Sequence, residues 1–245
     1  MSDTYQKLDQ SFVVGSWRKA SGDTIANICP WDETTIFEVA STTEDDVDEA
    51  CKAAQKAQRE WGAMPPAARA AKMHAIADIL EARKDEIAGW ILREAGGTKL
   101  KAALELMLVT QVARSEAATL PYMVKGAIMP EDIPGKESRA YRQPAGVIAL
   151  ISPWNFPLQL TARTLFPALA LGNGVVIKPA SDTIVTGGTI FAAITTSRRL
   201  ALRPSLGPLP PSLSLGCLVS ARVRAWLSLS HMAHTARHTR PHHRK

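Results

Sequence analysis

Three polar residues in one apolar stretch, Asn155, Lys178 and Ser181, are the side chains of this sequence best suited to chemistry. Asn155 lies in a turn flanked by Pro153 and Pro157, and a rigidly held amide can donate an N–H to an oxygen that becomes negative during a reaction. Lys178 ends an aliphatic run, and its ammonium can bind a ribose hydroxyl or a phosphate of a nucleotide. Ser181 can add a hydroxyl contact. Together these residues are compatible with a nucleotide site beside an oxyanion donor.

Each of these side chains also has a structural interpretation. Asparagine is common in turns for conformational reasons, and a lysine at a strand end commonly reaches into solvent. Ser181 can instead cap a helix that starts near Asp182. Trp154 and Phe156 can wall a cofactor and a substrate or pack in the core. The individual residues therefore leave both interpretations open, and their spacing has to decide.

A strand, a helix and a second strand must position these side chains. The apolar run from Val147 to Ile151 precedes the proline-flanked turn, and an apolar helical segment then ends at Gly172-Asn173-Gly174. A second run, Val175 to Ile177, stops at Lys178-Pro179. This pattern predicts a βαβ unit in a parallel sheet. Since ligands bind beyond the carboxyl ends of such strands, Asn155 and Lys178 are expected at the same edge of the sheet.

The sequence before this unit predicts small β structures followed by a helix. Short β-type runs that include Phe12, Thr24 and Thr35 are separated by turn residues, which favours a small antiparallel edge structure. Thr43, followed by Asp46, predicts an N-cap for a helix that extends to about Trp61.

Two further helices and a hairpin are predicted before the βαβ unit. One helix opens at Pro65-Pro66 and ends at Gly96-Gly97, with one apolar stripe formed by Met73, Ile76, Leu80, Ile87 and Ile91. The next, from Lys99 to about Ala118, is apolar nearly all round, which predicts burial of Leu104, Leu106, Met107, Leu108 and Val109. Residues 124–143 are expected to form an extended hairpin.

Composition excludes several classes of protein. Of the 245 residues, 46% are hydrophobic and 21% charged, which is typical of a soluble globular protein. No apolar run is long enough to cross a bilayer and the N-terminus does not resemble a secretory signal, so no membrane partner is expected. Cys29, Cys51 and Cys217 form no metal-type or redox pair, which favours a reducing cytoplasm.

The net charge of +6 is concentrated at one end of the chain. Residues 197–245 hold nine of the 29 Lys and Arg residues and none of the 23 Asp and Glu residues. Residues 1–196 therefore carry 20 basic against 23 acidic groups, a net charge of −3, which argues against a nucleic-acid partner for this part. We predict that 197–245 is a disordered basic tail rich in Ser, Arg and His.

Two functions for the tail are weak alternatives to simple disorder. His231, His234, His238, His242 and His243 can coordinate a metal, because His234 and His238 would share a helix face. The basic groups can instead bind nucleic-acid phosphates. Unselected coding sequence yields such stretches readily, so neither a metal site nor a nucleic-acid partner is predicted.

The order PWNFP, apolar helix, ALALGN and VVIKPAS resembles the aldehyde dehydrogenase superfamily, from about Ser11 to Thr195. The likeness includes the Asn27-x-x-Pro30 turn and the run from Glu94 to Lys99, which is similar to that family's E-x-G-K helix junction. It is greatest to the benzaldehyde and vanillin dehydrogenase branch. The resemblance implies an α/β fold in which residues 1–196 form the N-terminal part of a Rossmann-type parallel-sheet domain.

The resemblance also implies an activity, a cofactor and site residues. Family members oxidise an aldehyde to the acid with NAD or NADP, through a cysteine nucleophile and a glutamate-activated water. Asn155 would be the side-chain half of the oxyanion hole, and Lys178 would bind the adenosine ribose. Ile151, Ser152, Pro153 and Trp154 would line the cofactor cleft. Ser181 replaces an acid found in many NAD-preferring members, so it is compatible with NADP.

Several of the family's motifs do not occur among these 245 residues. They are the second nucleotide motif F-x-G-[ST]-x-x-G, the E-L-G-G segment with the general base, and the nucleophilic cysteine of G-Q-x-C. None of the three cysteines lies in a setting that activates a thiolate. Our hypothesis is an N-terminal family portion, inactive alone, followed by a tail from a shifted reading frame or a retained intron. The alternative is a non-catalytic fragment that binds a nucleotide or another subunit.

Two structural consequences follow from the missing sequence. The sheet should have an unpaired edge and an uncovered apolar face. The resemblance implies homo-oligomers built partly through the hairpin at 124–143. The partner strand for that assembly lies near the family's C-terminus and is not among these residues.

Overall fold

A computed structural model of the chain describes residues 8–195 and the backbone of residues 215–217. The strands are β1 Ser11–Val13, β2 Ser16–Arg18, β3 Thr24–Ile28, β4 Thr35–Ala40, β5 Ala127–Met129, β6 Ser138–Ala140, β7 Val147–Ile151, β8 Gly174–Lys178 and β9 Leu215–Cys217. The predicted tail at 197–245, with its five histidines, otherwise lies outside the described residues.

The helices alternate with short irregular turns. They are α1 Glu44–Ala63, α2 Pro66–Ala82, α3 Lys84–Glu94, α4 Lys99–Gln111, α5 Ala118–Met123, α6 Pro157–Ala170 and α7 Ile190–Thr195. Two π-helical turns, Val112–Ala117 and Val185–Thr189, precede α5 and α7, and a 3₁₀ turn spans Ser181–Thr183.

The predicted βαβ unit is confirmed. β7 and β8 pair in parallel, with Ile151 opposite Lys178, and α6 connects them. They belong to a five-stranded sheet of order β2-β1-β9-β8-β7, in which β1 and β2 are antiparallel. β9 pairs with β8 and also with β1, whereas β7 is paired on one side only among the described residues, in agreement with the predicted unpaired edge. The antiparallel structure predicted for the N-terminal segment is divided between β1–β2 and a separate β3–β4 pair, and the hairpin predicted at 124–143 forms as β5–β6.

The two faces of β8 are covered by different helices, because successive strand residues point to opposite sides. Val176 packs with Val47 and Ala54 of α1. Val175 and Ile177 belong to the main core, which also contains Trp61, residues of α2 and most of the buried face of α6. All five residues of β8 are buried, as expected for the inner strand of a covered sheet.

The first helix begins where the sequence predicts. The hydroxyl of Thr43 accepts the Asp46 backbone N–H, and the Asp46 carboxylate accepts the Thr43 N–H at 2.9 Å. This reciprocal capping box fixes the helix start locally. The helix extends to Ala63, two residues beyond the predicted end.

The predicted single helix from Pro66 to Gly96 is wrong. It is broken at Arg83 into α2 and α3, although the predicted apolar stripe is buried as expected. Asp85 and Glu86 occupy the first turn of α3, where carboxylates are stabilised by the positive end of the helix dipole. Arg83 pairs with Glu86 at 3.0 Å, which further supports a new helix start here.

The face that α4 buries also differs from the prediction. Of the five apolar residues expected in the core, only Val109 is buried, and Leu104 and Met107 are 40% and 58% exposed. The buried stripe is Ala102, Glu105 and Val109, spaced by three and four residues. A carboxylate therefore occupies a core position in an otherwise apolar helix, and its partners explain why.

The end of α6 is held by side-chain donors from α1 and α2. The indole N–H of Trp61, which is fully buried, donates to the Leu169 carbonyl at 2.7 Å. Arg69 Nε donates to the Ala170 carbonyl at 2.8 Å, and Gln58 donates to the Gly172 carbonyl at 2.9 Å. These bonds satisfy carbonyls that a helix leaves free at its C-terminus. They also fix where β8 begins.

Replacing Trp61 by Phe is expected to lower the free energy of unfolding by about 1–3 kcal/mol, because the buried Leu169 carbonyl loses its donor. Urea denaturation of the purified chain measures this. Trp154→Phe is the matched control, since the Trp154 side chain is 63% exposed. Equal midpoints for the two variants would contradict a stabilising role for the indole bond.

Candidate functional site

The carboxyl ends of β7 and β8 lie side by side and carry the predicted site residues. Beyond Ile151 and Lys178, the chain continues in residues 152–156 after β7 and in residues 179–183 after β8. We call these two segments together the rim. The Ser152 N–H donates to the Lys178 carbonyl at 2.9 Å, which extends the strand pairing into the rim. The structure thus brings the Asn155 turn and the Lys178 loop to one edge, as predicted.

Lys178 is buried although it ends a strand. Lys178 is 8% exposed, and its ammonium donates to the Pro179 carbonyl at 3.2 Å. Burial lowers the pKa of Lys178, because the charged form loses hydration. A solvated strand-end lysine is therefore not what the structure shows. An ammonium held in this way gains from any ligand that supplies further acceptor oxygens.

The turn that carries Asn155 faces outward. Asn155 and Pro153 are exposed, and Trp154 and Ile151 are 63% and 51% exposed. Phe156 is half-buried, and the ammonium of Lys101 lies 4.9 Å from the centre of its ring, within cation–π range. Asn155 is accessible to a molecule that approaches the rim, and the residue that follows it, Phe156, is held by its contact with Lys101.

Ser152 and Ser181 contribute in different ways. Ser152 is 3% exposed, and its hydroxyl bonds to the Thr161 hydroxyl, which in turn donates to the Gly187 carbonyl at 3.2 Å. The Ser152 side chain is therefore directed into the protein, and Ser152 contributes only its backbone to the surface of the rim. Ser181 is half-buried and begins the 3₁₀ turn, where its carbonyl accepts from the Asn27 side chain at 3.5 Å.

Glu94, at the end of α3, accepts four hydrogen bonds below the Lys178 loop. The backbone N–H groups of Val185 and Thr186 each lie 2.7 Å from its oxygens, as does the Thr186 hydroxyl, and the Asn27 amide lies at 3.1 Å. Burial raises the pKa of Glu94 to about 7, although the four donors act in the opposite direction.

Glu105 of α4 accepts hydrogen bonds from the segment after the Asn155 turn, as Glu94 does from the segment after the Lys178 loop. One carboxylate oxygen accepts the N–H groups of Leu158 and Gln159, at 3.0 and 3.2 Å, in the first turn of α6. The other accepts the ammonium of Lys101 at 2.6 Å. Glu105 is fully buried. Sequence reasoning missed this residue, and the available signal was a lone carboxylate inside the apolar run Leu104 to Val109.

These two carboxylates restrict how an anion can bind. Helix N-termini after the strands of a parallel sheet commonly hold phosphates, because their free N–H groups and the helix dipole favour negative charge. Here Glu105 takes the free N–H groups of α6, and Glu94 takes those of the turn that starts at Val185. These N–H groups are therefore not free to bind an anion at the rim.

The described cysteines do not form a nucleophilic site. Cys29 is buried in the β3–β4 hairpin, and Cys51 lies half-buried on α1. Burial raises the pKa of the Cys51 thiol, which lowers its thiolate fraction at neutral pH. Cys217 belongs to β9, on the opposite side of β8 from the Asn155 turn on β7.

The sequence model of the aldehyde dehydrogenase family matches residues 17–199, and this range includes the whole rim. The chain belongs to the aldehyde dehydrogenase family. The family assignment and the partial α/β fold predicted from the PWNFP and KPAS segments are thereby confirmed. The family match begins in β2 and runs four residues beyond the end of α7.

Two relatives in this family are named as dehydrogenases of aromatic aldehydes. The chain is 46% identical over 197 residues to a vanillin dehydrogenase of Corynebacterium glutamicum, an alignment that covers 79% of this chain and 40% of that protein. It is 41% identical over 191 residues to a benzaldehyde dehydrogenase of Bacillus subtilis, with 78% and 39% covered. The chain thus spans about 40% of the length of these curated relatives.

A solved structure supports the same conclusion for the fold. The crystal structure of an NAD-dependent benzaldehyde dehydrogenase from Corynebacterium glutamicum matches with a TM-score of 0.78 and 42% identity, covering 87% of this chain and 44% of that one. In the part of the chain that the structure describes, no helix is long and apolar enough to span a membrane. The same part contains no cluster of three metal-binding side chains.

Proposed function

We propose that this chain provides the nucleotide-binding and oxyanion-stabilising part of an NAD(P)-dependent dehydrogenase for aromatic aldehydes, and that it is inactive alone. The observation that carries the proposal is the shared rim, where the exposed Asn155 follows β7 and the buried Lys178 ends the neighbouring parallel strand β8. Membership of the aldehyde dehydrogenase family and the named activities of its vanillin and benzaldehyde dehydrogenase relatives support it.

The rim fits a nicotinamide dinucleotide by its donor set. The ammonium of Lys178 has one carbonyl contact and can donate to the hydroxyls of a ribose, and Ser181 offers a hydroxyl in the same loop. Ile151, Pro153 and Trp154 provide the exposed apolar surface against which such a cofactor can lie. The cofactor, when bound, accepts a hydride from the substrate carbon. With serine at position 181, no carboxylate from this residue repels a ribose phosphate, so NADP is accepted as well as NAD.

Asn155 has the electrostatic role in this proposal. Its side-chain N–H donates to the aldehyde oxygen, and the bond strengthens as that oxygen becomes negative. Because the turn is fixed before substrate arrives, little reorganisation is needed during the reaction. The nucleophile and the general base have no counterpart among these 245 residues, which is why the chain alone is expected to be inactive.

A second candidate is a non-catalytic fragment that binds a nucleotide or another subunit. The exposed apolar residues of the β5–β6 hairpin, Ile128 and Met129, favour the subunit-binding form of this alternative. Assay of the purified chain with benzaldehyde and NAD(P) separates chemistry from binding. Measurable turnover would contradict inactivity, whereas binding without turnover fits both the main proposal and the fragment.

Replacing Lys178 by Met is expected to weaken NAD binding by roughly ten- to a hundredfold, because one charge-assisted donor is lost while the apolar stem is kept. Isothermal titration calorimetry with NAD and NADP measures this on the intact chain. Lys56→Met on the exposed face of α1 is the control and should bind like the parent. Equal affinities for the two variants, or no binding by the parent chain, would refute the assignment of the nucleotide site to Lys178.

A further inference from the structure

The two rim segments share an unusual form of support. Each runs into a helical segment whose first free N–H groups are accepted by a buried carboxylate from a different helix. Neither α6 nor the turn that starts at Val185 has a side-chain cap from its own N-cap residue, which is Phe156 in the first case and Ile184 in the second. The N-terminal donors of both segments are therefore satisfied only by long-range contacts in the described structure.

A long-range cap does more than satisfy donors. A local cap, such as that of Thr43 on α1, ties a helix start to its own chain and leaves its position in the fold undetermined. Glu105 instead ties the start of α6 to α4, at a sequence separation of 53 residues. Glu94 ties Val185 to the end of α3 at a separation of 91 residues. Each bond thereby fixes a rim segment relative to a separate helix.

The Asn155 turn is held at two points by α4. Glu105 accepts the N–H groups of Leu158 and Gln159, three and four residues after Asn155. Lys101, which is paired with Glu105, lies over the ring of Phe156, directly next to Asn155. Removal of the carboxylate would release the helix start and the lysine together.

The Lys178 loop is held by Glu94 in a similar way. Asn27 joins this network by donating both to Glu94 and to the carbonyls of Ser181 and Asp182, at 3.5 and 3.3 Å. The loop between Lys178 and Val185 is therefore fixed at its 3₁₀ turn by Asn27 and at its end by Glu94. The carboxylate connects β3, α3 and the loop in one buried cluster.

We propose that Glu105 and Glu94 are positioning residues, Glu105 for the amide of Asn155 and Glu94 for the loop that carries Lys178 and Ser181. The proposal rests on the proposed function for its consequence in catalysis, but the positioning itself is a property of this chain. Displacement of a catalytic group by about 1 Å can cost a hundredfold in rate, so such supports matter for activity.

The experiment compares Glu105→Gln and Glu94→Gln in the intact chain by NMR at pH 8, above the pKa of about 7 at which Glu94 loses its proton. Glutamine keeps the shape, but its NH₂ group cannot accept a hydrogen bond. Glu116→Gln, at an exposed position before α5, is the matched control. The readouts are amide hydrogen exchange at 158–159 and at 185–186, the order parameters of the Asn155 side-chain amide and of the Ser181 backbone amide, and NAD affinity by calorimetry.

The expected result is a separation of effects. Glu105→Gln should raise exchange at 158–159 by about tenfold, as expected when a charge-assisted bond becomes a neutral one, and should lower order at Asn155 while Ser181 is unchanged. Glu94→Gln should raise exchange at 185–186 and lower order at Ser181, while Asn155 is unchanged. It should also weaken NAD binding by several-fold, whereas Glu105→Gln should leave NAD affinity within about twofold.

Two outcomes would overturn the proposal. One is that both variants disturb both rim segments equally, as a merely structural loss of stability would do. The other is that exchange rises at the helix starts while the order of Asn155 and of Ser181 stays at the level of the Glu116→Gln control. If the parent chain does not bind NAD, the proposed nucleotide function fails, but the exchange and order measurements still decide whether the two carboxylates position the rim.

Discussion

Replacing Asn155 by Ala is expected to lower kcat for benzaldehyde by roughly 10²- to 10³-fold, the range observed when one oxyanion donor is removed from an enzyme. The measurement requires an active protein. Residues 1–195 of this chain can be joined to the remainder of the Corynebacterium glutamicum vanillin dehydrogenase, with which it shares 46% identity over 197 residues. Benzaldehyde oxidation is then followed by the formation of reduced nicotinamide.

The size of this effect follows from the position of the amide. Asn155 is exposed, so truncation to Ala removes the donor without opening a core cavity. An interaction made mainly in the transition state lowers kcat and kcat/KM together and leaves KM nearly unchanged. A loss confined to KM would indicate ground-state binding instead.

A matched control separates the role of this amide from a general effect of amide removal. Gln55→Ala removes an exposed amide from α1, away from the rim, and should leave kcat within about twofold. If Asn155→Ala and Gln55→Ala have the same kcat, Asn155 is not the oxyanion donor. If the chimaera of the parent sequence is inactive while it folds and binds NAD, the proposed catalytic role of this part fails.

The free energy of unfolding of the chain is expected to fall by about 2–3 kcal/mol between pH 5 and pH 8, because of Glu94. Burial raises its pKa in the folded protein to about 7, from the ordinary value of 4.5 that it regains on unfolding. Between these values the folded state holds a proton that the unfolded state has lost. The stabilisation is therefore fully present below pH 4.5 and is lost as the pH rises through 7.

The cluster around Glu94 can accommodate that proton. The Thr186 hydroxyl, which donates to the carboxylate at 2.7 Å, can turn and accept from the protonated acid, whose oxygen still accepts the Thr186 N–H. Carboxylates with lowered pKa values, such as the exposed Asp32 and the half-buried Glu131, act in the opposite direction, and their contribution is lost only below about pH 4.5. The window from pH 5 to pH 8 therefore isolates the contribution of Glu94 among these carboxylates.

Urea denaturation at several pH values measures the effect. Glu94→Gln is neutral throughout the window and should remove the downward slope, whereas Glu116→Gln should retain it. A slope that is the same in the parent chain and in Glu94→Gln would show that Glu94 titrates normally. A stability that rises from pH 5 to pH 8 in the parent would contradict the sign of the prediction.

Much of the fold could be predicted because its signals are local. The capping box of Thr43 and Asp46 and the turn at Gly172-Asn173-Gly174 depend on contacts within a few residues, and β7 and β8 are each recognisable as a short aliphatic run. The same holds for placing Asn155 and Lys178 at one edge, since parallel strands joined by a helix end on the same side. The family motifs added specificity because they combine several such local constraints.

Apart from the break at Arg83, the differences from prediction concern faces and contacts set by distant parts of the chain. Leu104 and Met107 are exposed although their helix is apolar nearly all round, because only one face of α4 meets the core. The strand β9, which lies in the segment predicted to be a disordered tail, pairs with β8 and comes from about 40 residues later with no strand pattern of its own. Periodicity reports the faces of one element and contains no information on which neighbour covers them.

The sequence by itself determined the family, the βαβ unit, the rim and the residue types that meet there. Only the tertiary structure showed that Lys178 is buried, that the Ser152 hydroxyl is directed inward, and that Glu94 and Glu105 hold the two rim segments. The physical reason is that helix starts need acceptors but do not specify where in the sequence these lie. Here the acceptors lie 91 and 53 residues away in the sequence, and only the packing of the folded chain brings them to the helix starts.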